Sequence, residues 1–250
     1  IYALGPMLGP PLGGLIIAYY RWNFIFFPLA VYALFLLKYS KSIESKQSTF
    51  ILPSIDLYAK MFKSMYLWFY GLLIGSCCSV GFTFFSEAPT FFIGGLHLTP
   101  QAYSLGFILV GLSWFLGGKI NHYLLNFMRC ERVMEVGIKS ALASVMMFAL
   151  TIALVLGPLY TLLLSWIWII AIMTSLSLVI GNAFTMALEP FGQQAGIAAS
   201  VLGFIQYATI GFYTLFIAHM HTGSMMVMPL VWLLLIVTSY LMVRQQSSIG

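Results

Sequence analysis

Residues 160–188 read YTLLLSWIWIIAIMTSLSLVIGNAFTMAL, a run without one charged side chain. The hydrocarbon core of a bilayer, about 30 Å thick, is crossed by about 20 apolar residues as a helix or by about 9 to 11 as a tilted β-strand. Barrel strands also alternate lipid-facing and lumen-facing residues. This run is continuous and more than twice a strand's length, so it predicts a spanning helix. Windows of about 19 residues place seven more such spans around it: Ile1 to Tyr19, Trp22 to Leu37, Ser64 to Phe92, Ala102 to Lys119, Val133 to Leu156, Ala195 to Ala218 and Met225 to Val243. The breaks carry turn and loop chemistry: Tyr20-Arg21, Gly94-Gly95 with Pro100, a basic loop from Lys119 to Arg132, Gly157-Pro158, Pro190-Phe191-Gly192 and His221-Thr222-Gly223.

Composition leaves no other solvent than lipid. Of 250 residues, 61% are hydrophobic and 7% charged, against about 25% charged in a soluble domain. The net charge of +5 does not point to nucleic acid, because the basic residues sit in short loops between apolar runs and form no continuous face. Three cysteines, two adjacent at Cys77 and Cys78, make neither a disulfide framework nor a zinc site. They read as packing residues, and neither a metal nor a cofactor is expected. The chain opens at Ile1 inside an apolar segment with no basic region before it, so the sequence reads as a fragment with no cleavable signal.

Loops of the same parity face the same side. Lys38, Lys41, Lys46, Lys60, Lys63, Lys119, Arg129, Arg132, Lys139 and Arg244 fall on one side, and Arg21 falls on the other. The positive-inside rule makes the lysine-rich side cytoplasmic, both ends of the chain included. Tyr19, Tyr20 and Trp22 then mark the outer interface. The stretch 38–63 reads as a cytoplasmic connector between two helix bundles, with two helices before it (1–37), six after it (64–243) and a cytoplasmic tail at 244–250. That asymmetry matches a six-plus-six protein lacking its first four helices.

The first span contains Gly5-Pro6-Met7-Leu8-Gly9-Pro10-Pro11-Leu12-Gly13-Gly14. Glycines at 5, 9 and 13 line one helix face with bare backbone, which suits close approach of a neighbouring helix. Pro6, Pro10 and Pro11 remove amide donors, a fault tolerated in a membrane where packing or local water satisfies the freed carbonyls. The string resembles the antiporter motif in the fifth helix of drug-proton antiporters of the major facilitator superfamily, Gly-x-x-x-Gly-Pro-x-x-Gly-Gly, matched by Gly5, Gly9, Pro10, Gly13 and Gly14. The resemblance implies a kinked fifth helix at the interface of the two bundles, where such motifs limit proton leak. Ala187 to Gln206, with Pro190 and Gly192 turning the chain before a run rich in alanine, glycine and serine, resembles the connection of the tenth and eleventh helices in the Bcr/CflA drug-resistance branch. Ser86 to Phe107, with Pro89 and Thr99-Pro100-Gln101, resembles its seventh-to-eighth helix region. Members of that branch export bicyclomycin or chloramphenicol. One departure concerns Gly117-Gly118-Lys119-Ile120-Asn121-His122, where the family often repeats a Gly-x-x-x-Asp-Arg-like turn. Asn121 and His122 weaken the charge relay expected of that loop.

An ionisable side chain at membrane depth is costly and ordinarily faces the bundle interior or water. Glu87 is the most informative such group. Ser76, Ser79, Thr83 and Glu87 share one helical face, a polar stripe that could line a cavity, carry a proton or attract a cationic substrate. Pro89 and Gly94-Gly95 just beyond favour a solvated position at the outer mouth instead. Asn182, Gln206 and Tyr207 are further cavity-lining candidates, with interhelical hydrogen bonding as the competing role. Glu189 reads as a turn residue near a helix N-terminus, and Glu135 with Lys139 as an i,i+4 pair. His219-Met220-His221 offers soft-metal ligand types but no convergent third ligand.

An intramembrane enzyme needs a nucleophile and base or a metal cluster, and a channel needs a filter or charge rings; the sequence displays neither set. Two bundles joined by a long connector fit alternating access around a midplane cavity. The expectation is thus an all-α polytopic membrane protein of the major facilitator fold, with eight transmembrane helices of an expected twelve. The resemblance implies proton-coupled export of a small, partly apolar, drug-like molecule across a bacterial inner membrane. The implied partners are lipid, protons, that substrate and the missing N-terminal half of the transporter. The alternative is a remnant or half-transporter that needs a partner bundle.

Overall fold

The computed structural model describes residues 4–40, 55–220 and 223–247. Ile1, Lys41, Lys46, His221 and Thr222, which enter the sequence reading, lie outside the described residues.

Backbone amides and carbonyls in lipid must find partners within their own segment, and the described residues are accordingly helical with no strand. The helices are α1 (Leu4–Tyr19), α2 (Phe26–Ser40), α3 (Ile55–Phe62), α4 (Met65–Pro89), α5 (Pro100–Leu124), α6 (Cys130–Ala153), α7 (Pro158–Leu188), α8 (Ala195–Met220) and α9 (Val227–Ser247). Their starts follow local chemistry. The Ser64 hydroxyl accepts from Leu67 N at the head of α4, the Thr99 hydroxyl accepts from Ala102 N at the head of α5, and Pro100 and Pro158 occupy first-turn positions where a missing N–H costs nothing.

Among the described residues five helical runs are long and apolar enough to cross a membrane: Met65–Gly95, Pro100–Leu124, Cys130–Ala153, Pro158–Met220 and Val227–Gln245. The chain is therefore an all-α, multi-pass membrane protein. The 63-residue run breaks where a 3-10 turn, Glu189–Gln194, separates α7 from α8 and Gly192 takes φ +44°, a left-handed conformation that suits a residue without Cβ. Glu189 lies exposed in that turn, at the C-cap of α7 and not at the head of α8. Between α1 and α2 the turn is Trp22–Ile25. Part of the expected connector is the short amphipathic helix α3, whose Phe62 ring sits 5.8 Å from that of Phe204 on α8.

Two boundaries differ from expectation. The basic loop expected from Lys119 is shorter, because α5 continues to Leu124 and carries Asn121 and His122 as helical residues. At the far end of α4, Thr90–Gly95 continue as a wider π-type turn beyond Pro89, so Gly94-Gly95 end the helix later than the polar break suggests.

Side-chain pairings fix the directions of the helices. Trp166, Ser177 and Asn182 of α7 meet Gly106, Gly117 and Asn121 of α5, so these two run parallel. Ile205 and Thr209 of α8 meet Gly71 and Gly75 of α4, also parallel. Cys77 and Phe84 of α4 meet Ser239 and Trp232 of α9, and Ser140 and Thr151 of α6 meet Ser175 and Trp168 of α7, both antiparallel. Lys60, Lys63, Lys119, Arg129, Arg132, Lys139 and Arg244 therefore gather toward one end of the bundle and Arg21 toward the other.

Burying apolar surface against lipid-like surface gains little, so helices in a membrane are held by close packing and interhelical hydrogen bonds. The glycines show where that closeness occurs. A Cβ added at Gly71, Gly75, Gly106, Gly117 or Gly137 would collide with a neighbouring helix. Toward the end of the bundle opposite the basic residues, aromatic rings fill the interior: Phe92 stacks on Trp166 at 4.5 Å, and Phe84 contacts Phe107, Trp166 and Trp232.

Candidate functional site

The polar stripe of α4 faces inward. Ser79 and Thr83 are buried and satisfy themselves on their own helix, Ser79 Oγ donating to Gly75 O at 2.7 Å and Thr83 Oγ1 to the carbonyls of Ser79 and Val80. Such back-bonding spends the one proton of each hydroxyl and leaves it only as an acceptor. Glu87 stands about 33 Å of helical rise above Met65, near the end away from the basic residues. It is 5% exposed. That corrects the expectation of a solvated carboxylate, because packing covers the group. Ser86 Oγ donates to its Oε1 at 3.4 Å, and the π-type turn begins three residues later.

The polar groups of α5, α7 and α8 bridge helices. Asn182 Nδ2 donates to Asn121 Oδ1 and to Leu178 O, each at 2.7 Å. Gln206 Nε2 reaches Cys78 Sγ on α4 at 3.5 Å. In both cases the side chain is buried and fills the interhelical role that competed with cavity lining. Tyr207, 63% exposed, points away from the described bundle. Asn182 lies within two turns of the basic end of α7, whereas Glu87 lies near the opposite end of α4. The candidates therefore form no single cluster: the stripe 79–83–87, the Asn121–Asn182 clamp, the Gln206–Cys78 bridge and Tyr207 are separate features.

The motif of α1 packs on α5, and among its described glycines the close approach is at Gly14. The helix continues through Pro10 and Pro11 and packs on α5, where a Cβ at Gly14 would lie 2.8 Å from Ser104 Cβ and still closer to its hydroxyl. A Cβ at Gly9 or Gly13 would meet nothing within 4 Å. The close approach thus uses Gly14, one position on from the four-residue ladder read in the sequence. Gly5 and Pro6 belong to the same helix.

The structure gives roles that the sequence did not show. Asn121 is the partner of Asn182, and Gly71, Gly75, Gly106 and Gly117 are the points where α4 and α5 touch their neighbours. Gly71 and Gly75, four apart, carried the same small-residue signal as α1. Among the described residues no group of three or more His, Cys, Asp or Glu could hold a metal ion.

No known family profile matches the chain. It is similar to an uncharacterized transporter of Rickettsia bellii, 27% identical over 247 residues that cover 94% of this chain and 61% of that protein. It is also similar to an uncharacterized transporter of Rickettsia felis, 27% identical over 88% of this chain and 57% of that protein. A third relative is the uncharacterized MFS-type transporter YdgK of Bacillus subtilis, 26% identical over 82% of this chain and 52% of that protein. The chain spans roughly half to three fifths of the length of these curated relatives.

Proposed function

We propose that this chain forms part of a secondary transporter of the major facilitator type, which exports small, partly apolar, drug-like molecules in exchange for protons. The observation that carries the reading is the seating of α1, which precedes the connector, on α5, which follows it, through the bare backbone of Gly14 against Ser104. Alternating access by rocking of two bundles requires a smooth seam of this kind between them. The relatives' names support transport, and one of them supports the superfamily. The narrower placement in the Bcr/CflA branch rests on the resemblance of the α1 motif and of the α4–α5 and α7–α8 junctions.

In this reading the basic end is cytoplasmic in a bacterial inner membrane, and Glu87 is the proton-carrying group. A carboxyl group packed inside the bundle can exchange its proton with one side at a time as the bundle rocks. Gly14 sits on the seam along which the two bundles slide, and Gly5, Pro6, Gly9, Pro10 and Gly13 shape the helix that carries it. Asn182 and Gln206 hold the helices of the second bundle in register, and Tyr207 on the exposed face of α8 is available to substrate or to the other bundle.

Fluorescent-dye efflux from cells expressing the full-length gene tests this. Export should run down an imposed proton gradient, and Glu87→Gln should abolish its dependence on that gradient while the protein remains in the membrane. Unchanged efflux and pH response in the variant would remove Glu87 from the mechanism, and absence of gradient-driven export in the wild type would remove antiport altogether.

A further inference from the structure

At the turn between α5 and α6 lies a cavity of about 490 Å³ lined by Phe127, Met128, Arg129, Arg132, Glu135, Val136 and Lys139. None of the transport candidates lines it. Its three cations are displayed to the surroundings, with side chains 88% (Arg129), 75% (Arg132) and 56% (Lys139) exposed. Glu135 sits between two of them, 3.4 Å from Arg132 Nη1 and 2.5 Å from Lys139 Nζ, while Glu131 is 3.9 Å from Arg129 Nε. An arginine offers five N–H donors and a lysine three, so these pairings leave most of the donors unspent. The cluster keeps one uncompensated positive charge, three cations standing against two carboxylates.

The face below the cluster is apolar. Along α6 the exposed positions after Arg132 are Val136, Lys139 and Ser140, then Ala143, Met146, Met147 and Leu150, one face of a helix at spacings of three and four. Phe127 and Met128 present apolar surface beside the cations. A basic cluster at the membrane boundary, continuous with an apolar helix face descending into the bilayer, has the shape of an anionic amphiphile. A soluble anion would have no use for the apolar face, and a peptide docking at the turn would not follow it to Leu150.

We propose that this cavity binds the headgroup of an anionic phospholipid, its phosphate held by Arg129, Arg132 and Lys139 and its acyl chain laid along Val136, Met146, Met147 and Leu150. Glu135 spreads Arg132 and Lys139 so that both flank the phosphate, and it limits affinity by its own charge. Anionic lipid is attracted by roughly 1 kcal/mol per basic residue at such a surface, which corresponds to about fivefold per cation. The site contains none of the residues proposed for export, and its test reads binding, not transport.

Native mass spectrometry of the detergent-solubilised full-length protein, titrated in turn with phosphatidylglycerol, phosphatidylcholine and inorganic phosphate, decides it. The wild type should retain one phosphatidylglycerol in preference to phosphatidylcholine, and free phosphate should not compete. Arg129→Gln with Arg132→Gln should weaken that binding at least tenfold, Lys60→Gln with Lys63→Gln at the same end should leave it unchanged, and Glu135→Gln should tighten it several-fold, an effect that loss of folding cannot imitate. Equal retention of both lipids, undiminished binding in the double arginine variant, weaker binding in Glu135→Gln, or displacement by free phosphate would each overturn the proposal.

Discussion

Two adjacent glycines on α5 allow the packing of α5 on α7 to be weighed by one substitution made twice. A Cβ at Gly117 would lie 2.8 Å from the Thr174 carbonyl oxygen and 3.0 Å from Ser177 Cβ, and nearer still to the Ser177 hydroxyl. The serine can rotate, but a carbonyl within a helix cannot, so Gly117→Ala forces α5 and α7 apart by several tenths of an ångström. Overpacking of this kind costs about 1 to 3 kcal/mol, and the Asn121–Asn182 hydrogen bond one turn further along stretches with it, adding about 0.6 kcal/mol, typical of interhelical bonds in membranes. Against the gain of up to about 1 kcal/mol in helix propensity that alanine brings at either glycine, the expected net destabilisation is about 1 to 3 kcal/mol. A Cβ at Gly118 meets nothing within 4 Å, so Gly118→Ala should be neutral or gain up to about 1 kcal/mol in helix propensity. Reversible unfolding of the purified protein in mixed detergent micelles with increasing dodecyl sulfate measures both. Two variants within about 0.5 kcal/mol of each other, or the opposite order, would refute the parallel register assigned to α5 and α7.

Other consequences are as specific. A double-mutant cycle on Asn121→Ala and Asn182→Ala should give a coupling of about 0.5 to 1.5 kcal/mol in the same unfolding assay; additive effects would mean that the two amides do not meet. Glu87→Gln should flatten the pH dependence of efflux with no loss of protein from the membrane, as read by dye transport and immunoblot side by side. In a background with Cys77, Cys78 and Cys130 replaced by serine, Arg21→Cys should react with an impermeant maleimide in intact cells, and Lys63→Cys only after permeabilisation; the reverse pattern would invert the orientation.

The spans were legible because lipid imposes one rule on every backbone group. Runs such as 160–188 leave no choice but helix, and Gly157-Pro158 and Pro190-Phe191-Gly192 are breaks that local chemistry dictates. Polarity misled the reading near Lys119. The residues Asn121 and His122 look like loop, yet α5 continues through them because Asn121 finds its partner 61 positions away on α7. No local pattern carries that information. The same limit applies to the glycines: spacing by four marks Gly5, Gly9 and Gly13 equally, but which bare face meets a neighbour depends on the rotation of α1 against α5, and the rotation brings Gly14 to Ser104. Glu87 was visible as a costly residue. Its burial was not, because helices packed on α4, such as α8 and α9, lie far along the chain from it.

The contact of α1 with α5 carries the account, and it can be locked. A Cβ at position 14 would lie 2.8 Å from that of Ser104, so the two helices need ease apart by only about 1 Å to reach disulfide geometry. Gly14→Cys with Ser104→Cys, in the background free of other cysteines, should cross-link under mild oxidation in membranes, with export arrested and then restored by reductant. A pair that never cross-links, or a cross-linked protein that exports at the full rate, would contradict a transporter whose two bundles move along this seam.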